Sequence, residues 1–153
     1  MDQCQATIPT GHTVALVRST GKALQERLSS VPMNVRRKEN NHQNLVTDFD
    51  VWVQNTLKTG LAEIAPEAAF FAEEKENQEM RGLTWIVDPI DGTTNFISTR
   101  HDFAICVALY DGASPVFGVV YDVAKDICYH AEAGGPALSL IHISEPTRRS
   151  YIS

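Results

Sequence analysis

The segment Trp85-Ile86-Val87-Asp88-Pro89-Ile90-Asp91-Gly92-Thr93-Thr94-Asn95-Phe96 organises the reading of the whole chain. An apolar run of strand character, Leu83 to Val87, meets two carboxylates three residues apart, with a proline between them and a glycine and two hydroxyls after them. Proline fixes its own φ and offers no N–H to a ladder, so the strand is expected to stop at Pro89. Once the chain turns there, Asp88 and Asp91 converge instead of alternating across a pleat. Two carboxylates that close repel each other unless a cation lies between them. Hard oxygen donors, the Ile90 carbonyl among them, suit Mg²⁺. Gly92-Thr93-Thr94 then opens a short helix whose unpaired N–H groups face an anion. A cation on one side and a phosphate on the other is an arrangement for metal-assisted hydrolysis of a phosphoester. Asp-Pro and Asp-Gly are also ordinary turn dipeptides, and taken alone the two aspartates read as a polar turn.

Upstream of this segment the apolar residues follow a helical period. Val14, Val17, Gly21, Leu24 and Leu28 recur at three- and four-residue intervals, ending at Ser29-Ser30 and Pro32. Thr47 or Asp48 is placed to cap a second helix, in which Phe49, Val53, Leu57, Leu61 and Ile64 repeat the pattern before Pro66. From Ala69 the period shortens. Strands are expected at 69–72, 83–87, 102–110, 116–121 and 126–130, the last three forming an antiparallel meander through turns at Asp111-Gly112 and Val123-Ala124-Lys125. Two helices followed by a run of strands indicate an α+β layer, with the helices packed on an antiparallel sheet.

Composition narrows the class of molecule. The 153 residues suffice for one domain, and a chain of that size buries about 68–70% of its unfolded surface. A formal charge of −6, with no basic run beyond Arg36-Arg37-Lys38, argues against nucleic acid as the main partner. No apolar run reaches membrane-spanning length, and Met1-Asp2-Gln3-Cys4-Gln5 lacks a signal-peptide pattern, so a cytoplasmic protein is expected. Cys4, Cys106 and Cys128 are odd in number and without metal-ligand spacing, and read as reduced thiols. Trp52 and Trp85 read as core aromatics, and His12 and His101 have no evident partner.

The twelve-residue segment resembles the signature of the inositol monophosphatase family, within the wider fold group that includes fructose-1,6-bisphosphatase and the bisphosphate nucleotidases. Four further segments carry the resemblance in the same order: Leu45-Val46-Thr47-Asp48-Phe49-Asp50, Phe70-Phe71-Ala72-Glu73-Glu74, Gly118-Val119-Val120-Tyr121-Asp122, and the glycine-rich turn Ala131 to Ala137. Ordered matches of this kind are far more specific than one motif. The resemblance implies the first half of a layered α/β sugar-phosphatase fold and Mg²⁺-dependent hydrolysis of a small phosphate ester, inositol monophosphate first. Bisphosphate nucleotidase, sugar bisphosphatase and histidinol phosphatase activities are alternatives, as is a non-catalytic fragment. By the same resemblance Glu73, Asp88, the Ile90 carbonyl and Asp91 are metal ligands, and Glu73 also helps to hold the attacking water. Thr93 orients that water with Asp50 as its hydrogen-bonding partner, Gly92 and Thr93 offer N–H groups to the substrate phosphate, and the parent protein is a homodimer. Read without the resemblance, Glu73-Glu74 begins an acidic loop, Asp50 is a first-turn helix aspartate, and Thr93 is an N-cap.

Two departures from the family pattern stand out. The later Trp-Asp segment that supplies another metal-binding aspartate in the family does not occur, so residues 1–138 are expected to be a truncated N-terminal metal-binding half with little or no activity by itself. From Ser139 the chain reads Ser139-Leu140-Ile141-His142-Ile143-Ser144-Glu145-Pro146-Thr147-Arg148-Arg149-Ser150 in place of an asparagine-glycine turn. That string resembles translated adaptor or vector DNA, and residues 139–153 are expected to be a non-native or disordered tail.

Overall fold

The computed structural model describes residues 9–30, 35–37, 45–71, 82–100, 102–141 and 148–152. Helix α1 (Thr10–Ser30) is followed by two short strands, β1 (Val35–Arg37) and β2 (Leu45–Thr47), which pair antiparallel. Helix α2 (Asp48–Ile64) leads to β3 (Ala69–Phe71) and β4 (Leu83–Asp91), and the short helix α3 (Thr93–Thr99) follows directly. The chain then runs through β5 (Ala104–Asp111), β6 (Ser114–Asp122), β7 (Ile127–Glu132), β8 (Ala137–Ile141) and β9 (Arg148–Ile152). Strands β3 to β9 form one sheet in sequence order, so the fold is α+β with the long helices on one sheet face.

The two helical periods seen in the sequence are the two buried faces. Val14, Val17, Gly21 and Leu24 of α1 and Phe49, Val53, Leu57 and Leu61 of α2 are buried, and Leu28 and Ile64 pack at the margin. They meet the alternate residues of the strands: Ile105, Val107 and Leu109 from β5, and Phe117, Val119 and Tyr121 from β6. Trp85 completes this layer with its ring edge-on to Phe117 at 5.8 Å, while Trp52 lies at the rim beneath the Arg27 guanidinium. The opposite sheet face is more open, with Val120 and Tyr129 paired across β6 and β7 and both exposed.

Two features depart from the sequence-based expectation. The sheet is mixed, because β3 runs parallel to β4 while every other neighbour in it is antiparallel; hydrophobic period carries no information on strand direction. Strand β4 does not stop at Pro89 but continues to Asp91, with the ladder shifting register between Asp88 and Asp91. A bulge leaves one residue outside the ladder, which is where a proline without an N–H is tolerated. Residues 139–141 continue β8, and residues 148–152 pair with it as β9.

A polar clasp fastens α1 to the β6–β7 turn. The Tyr121 hydroxyl donates to Asp126 Oδ1 at 2.5 Å, the Arg18 guanidinium reaches the same oxygen at 3.4 Å, and the Gln25 amide donates to the Val123 carbonyl at 3.1 Å. Beside it Cys128 is fully buried, and burial, with the Asp126 charge adding to it, pushes its thiol up to about 12. A thiol neutral in the folded state and ionised in the unfolded one makes stability fall as pH rises. Its contribution is whole below the ordinary value of 9.0 and is lost progressively toward about 12. Urea unfolding at pH 8 and pH 10 should therefore show a stability loss at the higher pH that is smaller in Cys128→Ala. Equal losses in the two proteins would show that the thiol does not contribute.

Candidate metal and phosphate site

Across β4 and β5, Asp88 lies opposite Cys106 and Asp91 lies opposite Ala104, so three steps on one strand match two on the other. Residues three apart in a regular strand point to opposite faces. The bulge supplies the missing step, and both aspartates come to the face shared by Cys106 and Ala104, away from the helices. Ile90, between them, turns the other way and is buried to 2% exposure. The anchoring of Ile90 in the core and the convergence of the two exposed carboxylates are thus one structural event.

The Cys106 thiol registers the result. It is pushed up to about 11 by burial first, and then by the negative charges of Asp91 and Asp88. Both carboxylates therefore act on the same point, as their shared face requires.

Immediately after Asp91 the backbone turns through Gly92, whose φ of 86° and ψ of 44° lie in the left-handed region that favours glycine. A Cβ there would come 3.1 Å from the Asp102 carbonyl oxygen. The turn starts α3, whose first intrahelical bond runs from the Phe96 N–H to the Gly92 carbonyl at 2.8 Å, with no side-chain cap on Gly92. The N–H groups of Thr93, Thr94 and Asn95 consequently have no acceptor within the helix. The Thr93 hydroxyl donates back to the Ile90 carbonyl at 3.1 Å, tying the helix start to the bulge. A carbonyl oxygen has two lone pairs, so this bond leaves Ile90 one further acceptor position.

Asp50 stands half-buried in the first turn of α2, next to Phe49, whose ring meets that of Phe96 in α3 at 6.0 Å. Glu73 falls within residues 72–81, outside the described residues. Among the described residues no group of three or more His, Cys, Asp or Glu side chains could hold a metal ion. What the fold brings together is Asp88 and Asp91 on one face of the sheet, with Gly92 and Thr93 beginning the next turn and the Thr93 hydroxyl on the Ile90 carbonyl. This set consists of hard oxygen donors, and in chemical type it fits Mg²⁺. Sequence reasoning did not anticipate the Thr93 bond to Ile90 or the place of Cys106 beside the carboxylates. A proline within an Asp-x-x-Asp run at a strand end was the available signal for the bulge.

The inositol monophosphatase family model matches residues 9–147. An inositol-1-monophosphatase of Bacillus subtilis is 32% identical over 99 residues, covering 63% of this chain and 37% of that protein. The 3'(2'),5'-bisphosphate nucleotidase CysQ of Escherichia coli K12 is 32% identical over 124 residues, covering 78% of this chain and 50% of its own. The chain therefore spans half or less of the length of these relatives. Among solved structures, an IMPase/NADP phosphatase complexed with Mg²⁺ and phosphate superposes with a TM-score of 0.71 at 28% identity, over 82% of this chain and 48% of the other. With a family model covering most of its length and the Asp-Pro-Ile-Asp-Gly-Thr segment forming the bulged end of β4, the chain belongs to the inositol monophosphatase family.

Proposed function

We propose that the full-length gene product is a Mg²⁺-dependent phosphatase of a small phosphate monoester, and that residues 88–93 form part of its metal and phosphate site. The observation that supports this most directly is the register shift that turns Asp88 and Asp91 to one face, directly before a left-handed glycine and a helix start whose first N–H groups have no acceptor within the helix. Asp88, Asp91, the Ile90 carbonyl and Glu73 would hold the metal. When bound, Mg²⁺ supplies polarisation of the phosphoester and acidification of a coordinated water.

The remaining work falls to this chain's own groups. The N–H groups at the start of α3 would donate to a phosphate oxygen, directly after the turn at Gly92 that follows Asp91. Thr93 would orient the attacking water through a hydroxyl that bonds to the Ile90 carbonyl, with Asp50 as its hydrogen-bonding partner in the family pattern. No side-chain nucleophile is needed, and the Cys106 thiol, held neutral by burial and by its two acidic neighbours, is not one.

Inositol monophosphate is the substrate we favour. A nucleoside bisphosphate is a second reading, supported by an identity to the Escherichia coli nucleotidase equal to that to the Bacillus inositol-1-monophosphatase, 32% in each case. A phosphate-release assay on the full-length product with inositol 1-phosphate and adenosine 3',5'-bisphosphate, with Mg²⁺ or with EDTA, separates them. Release from inositol 1-phosphate at ten times the rate or more, abolished by EDTA, is expected. Faster release from the bisphosphate would select the second reading, and metal-independent release from either would sink both.

A further inference from the structure

Phe96 is fully buried at the place where three site-bearing segments meet. Its ring lies edge-on to Phe49 at 6.0 Å and 77°, and edge-on to Phe103 at 4.7 Å and 74°. Phe49 directly precedes Asp50 in α2. Phe103 directly precedes Ala104, the register partner of Asp91, and its Cα lies 3.8 Å from where a Gly92 Cβ would stand. The Phe96 N–H closes the first turn of α3 onto the Gly92 carbonyl, so the ring is one turn from Thr93.

The two halves of the site are fastened in different ways. Asp88 and Asp91 sit in the β4–β5 ladder, where backbone hydrogen bonds hold their spacing. Asp50 and Thr93 sit on separate helices, and packing of the Phe49 ring on Phe96 links α2 to α3, while packing of Phe103 on Phe96 links α3 to the ladder. Edge-on aromatic pairs have a preferred geometry that an aliphatic side chain of similar volume does not reproduce.

We infer that Phe96 is a positioning residue: its ring sets how far Asp50, carried by α2 beside Phe49, stands from Thr93 and the Asp88–Asp91 pair, while Thr93 is itself held to the bulge by its bond to Ile90. The inference rests on the phosphatase reading above. It requires no contact between Phe96 and substrate, and it assigns the ring an effect on the chemical step rather than on metal capture. A misplacement of about 1 Å in a reacting constellation costs about 10²-fold in rate.

The test compares Phe96→Leu with Phe117→Leu in the full-length gene product. Phe117 is also buried and also edge-on to an aromatic ring, but it lies in the register row of Leu109 and Trp85, at the other end of the strands from Asp91. Phe96→Leu is expected to lower kcat at least tenfold, with KM and the affinity for Mn²⁺ (followed by electron paramagnetic resonance) both within threefold of wild type. Phe117→Leu is expected to lower thermal stability to a similar extent and to leave kcat within threefold. Should Phe96→Leu not fold, Phe49→Leu breaks one of the two ring contacts and carries the same expectation. Equal losses of kcat in the Phe96 and Phe117 variants at matched folded fraction would overturn the positioning role, as would a Phe96 effect seen in KM or in Mn²⁺ affinity. Either result, obtained with an active wild type, leaves the phosphatase reading standing. A wild type without Mg²⁺-dependent phosphate release removes that reading and the positioning role with it.

Discussion

Asp88→Asn in the full-length gene product is expected to lower Mg²⁺-dependent phosphate release about 10²–10³-fold, the scale of losing one group that stabilises transition-state charge. Asparagine keeps the size of the side chain and one oxygen donor, so the change isolates the negative charge. The fold should survive, because Asp88 is exposed on the open face of the sheet and Ile90 anchors the bulge from the other side. Asp91→Asn should act in the same direction. Asp111→Asn provides the comparison: it lies opposite Leu83 at the far end of the same pair of strands and should leave the rate within twofold. Steady-state phosphate release at saturating Mg²⁺ measures all three. Asp88 and Asp91 variants as active as the Asp111 variant would mean that the acidic bulge is a surface turn, as its dipeptides taken alone suggest.

The second large effect is on stability. Gly21→Val should destabilise the chain by about 2–3 kcal/mol, the upper part of the usual range for forcing extra atoms into a packed core. A Cβ at Gly21 would meet Tyr121 Cε1 head-on, with Tyr121 Cδ1 at 2.9 Å and Val123 Cγ2 at 3.3 Å. The ring cannot swing aside at low cost. Tyr121 is fully buried, and its hydroxyl is tied to Asp126, which is tied in turn to Arg18 on the same helix as Gly21. Relief therefore requires the helix to lift from the sheet, breaking the clasp. Thermal unfolding reads the result, at about 2–4 °C per kcal/mol for a chain of this size. Gly11→Ala is the matched control, since a Cβ there meets nothing within 4 Å and alanine favours a helix by about 1 kcal/mol over glycine. A Gly21→Val protein melting with wild type would show that α1 does not press on β6 as described.

The helices were legible because each carries its own evidence: an apolar stripe at helical spacing over at least four turns, closed by Pro32 in one case and Pro66 in the other. The meander β5–β6–β7 was legible for a similar reason, with alternating residues between short turn-forming segments. Strands β1 and β2, three residues each, are too short for any period to show. The parallel placement of β3 escaped because direction depends on how the intervening chain crosses over, not on the residues of the strand.

For the candidate site, residue identities marked the place and the chemistry, while geometry came from elsewhere. Two aspartates flanking Pro-Ile and followed by Gly-Thr-Thr named the acidic oxygens, the turn and the helix start without help from any distant residue. That Asp88 and Asp91 share a face was decided by β5, whose ladder against β4 takes up the extra residue and draws Ile90 into the core. Where Asp50 stands relative to that pair was decided by the packing of Phe49, on its own helix, against Phe96, which packs in turn on Phe103. Local chemistry is written in neighbouring residues because turns and hydrogen-bonding groups act over a few bonds. Distances between groups on separate elements depend on packing, which is set only when the elements meet.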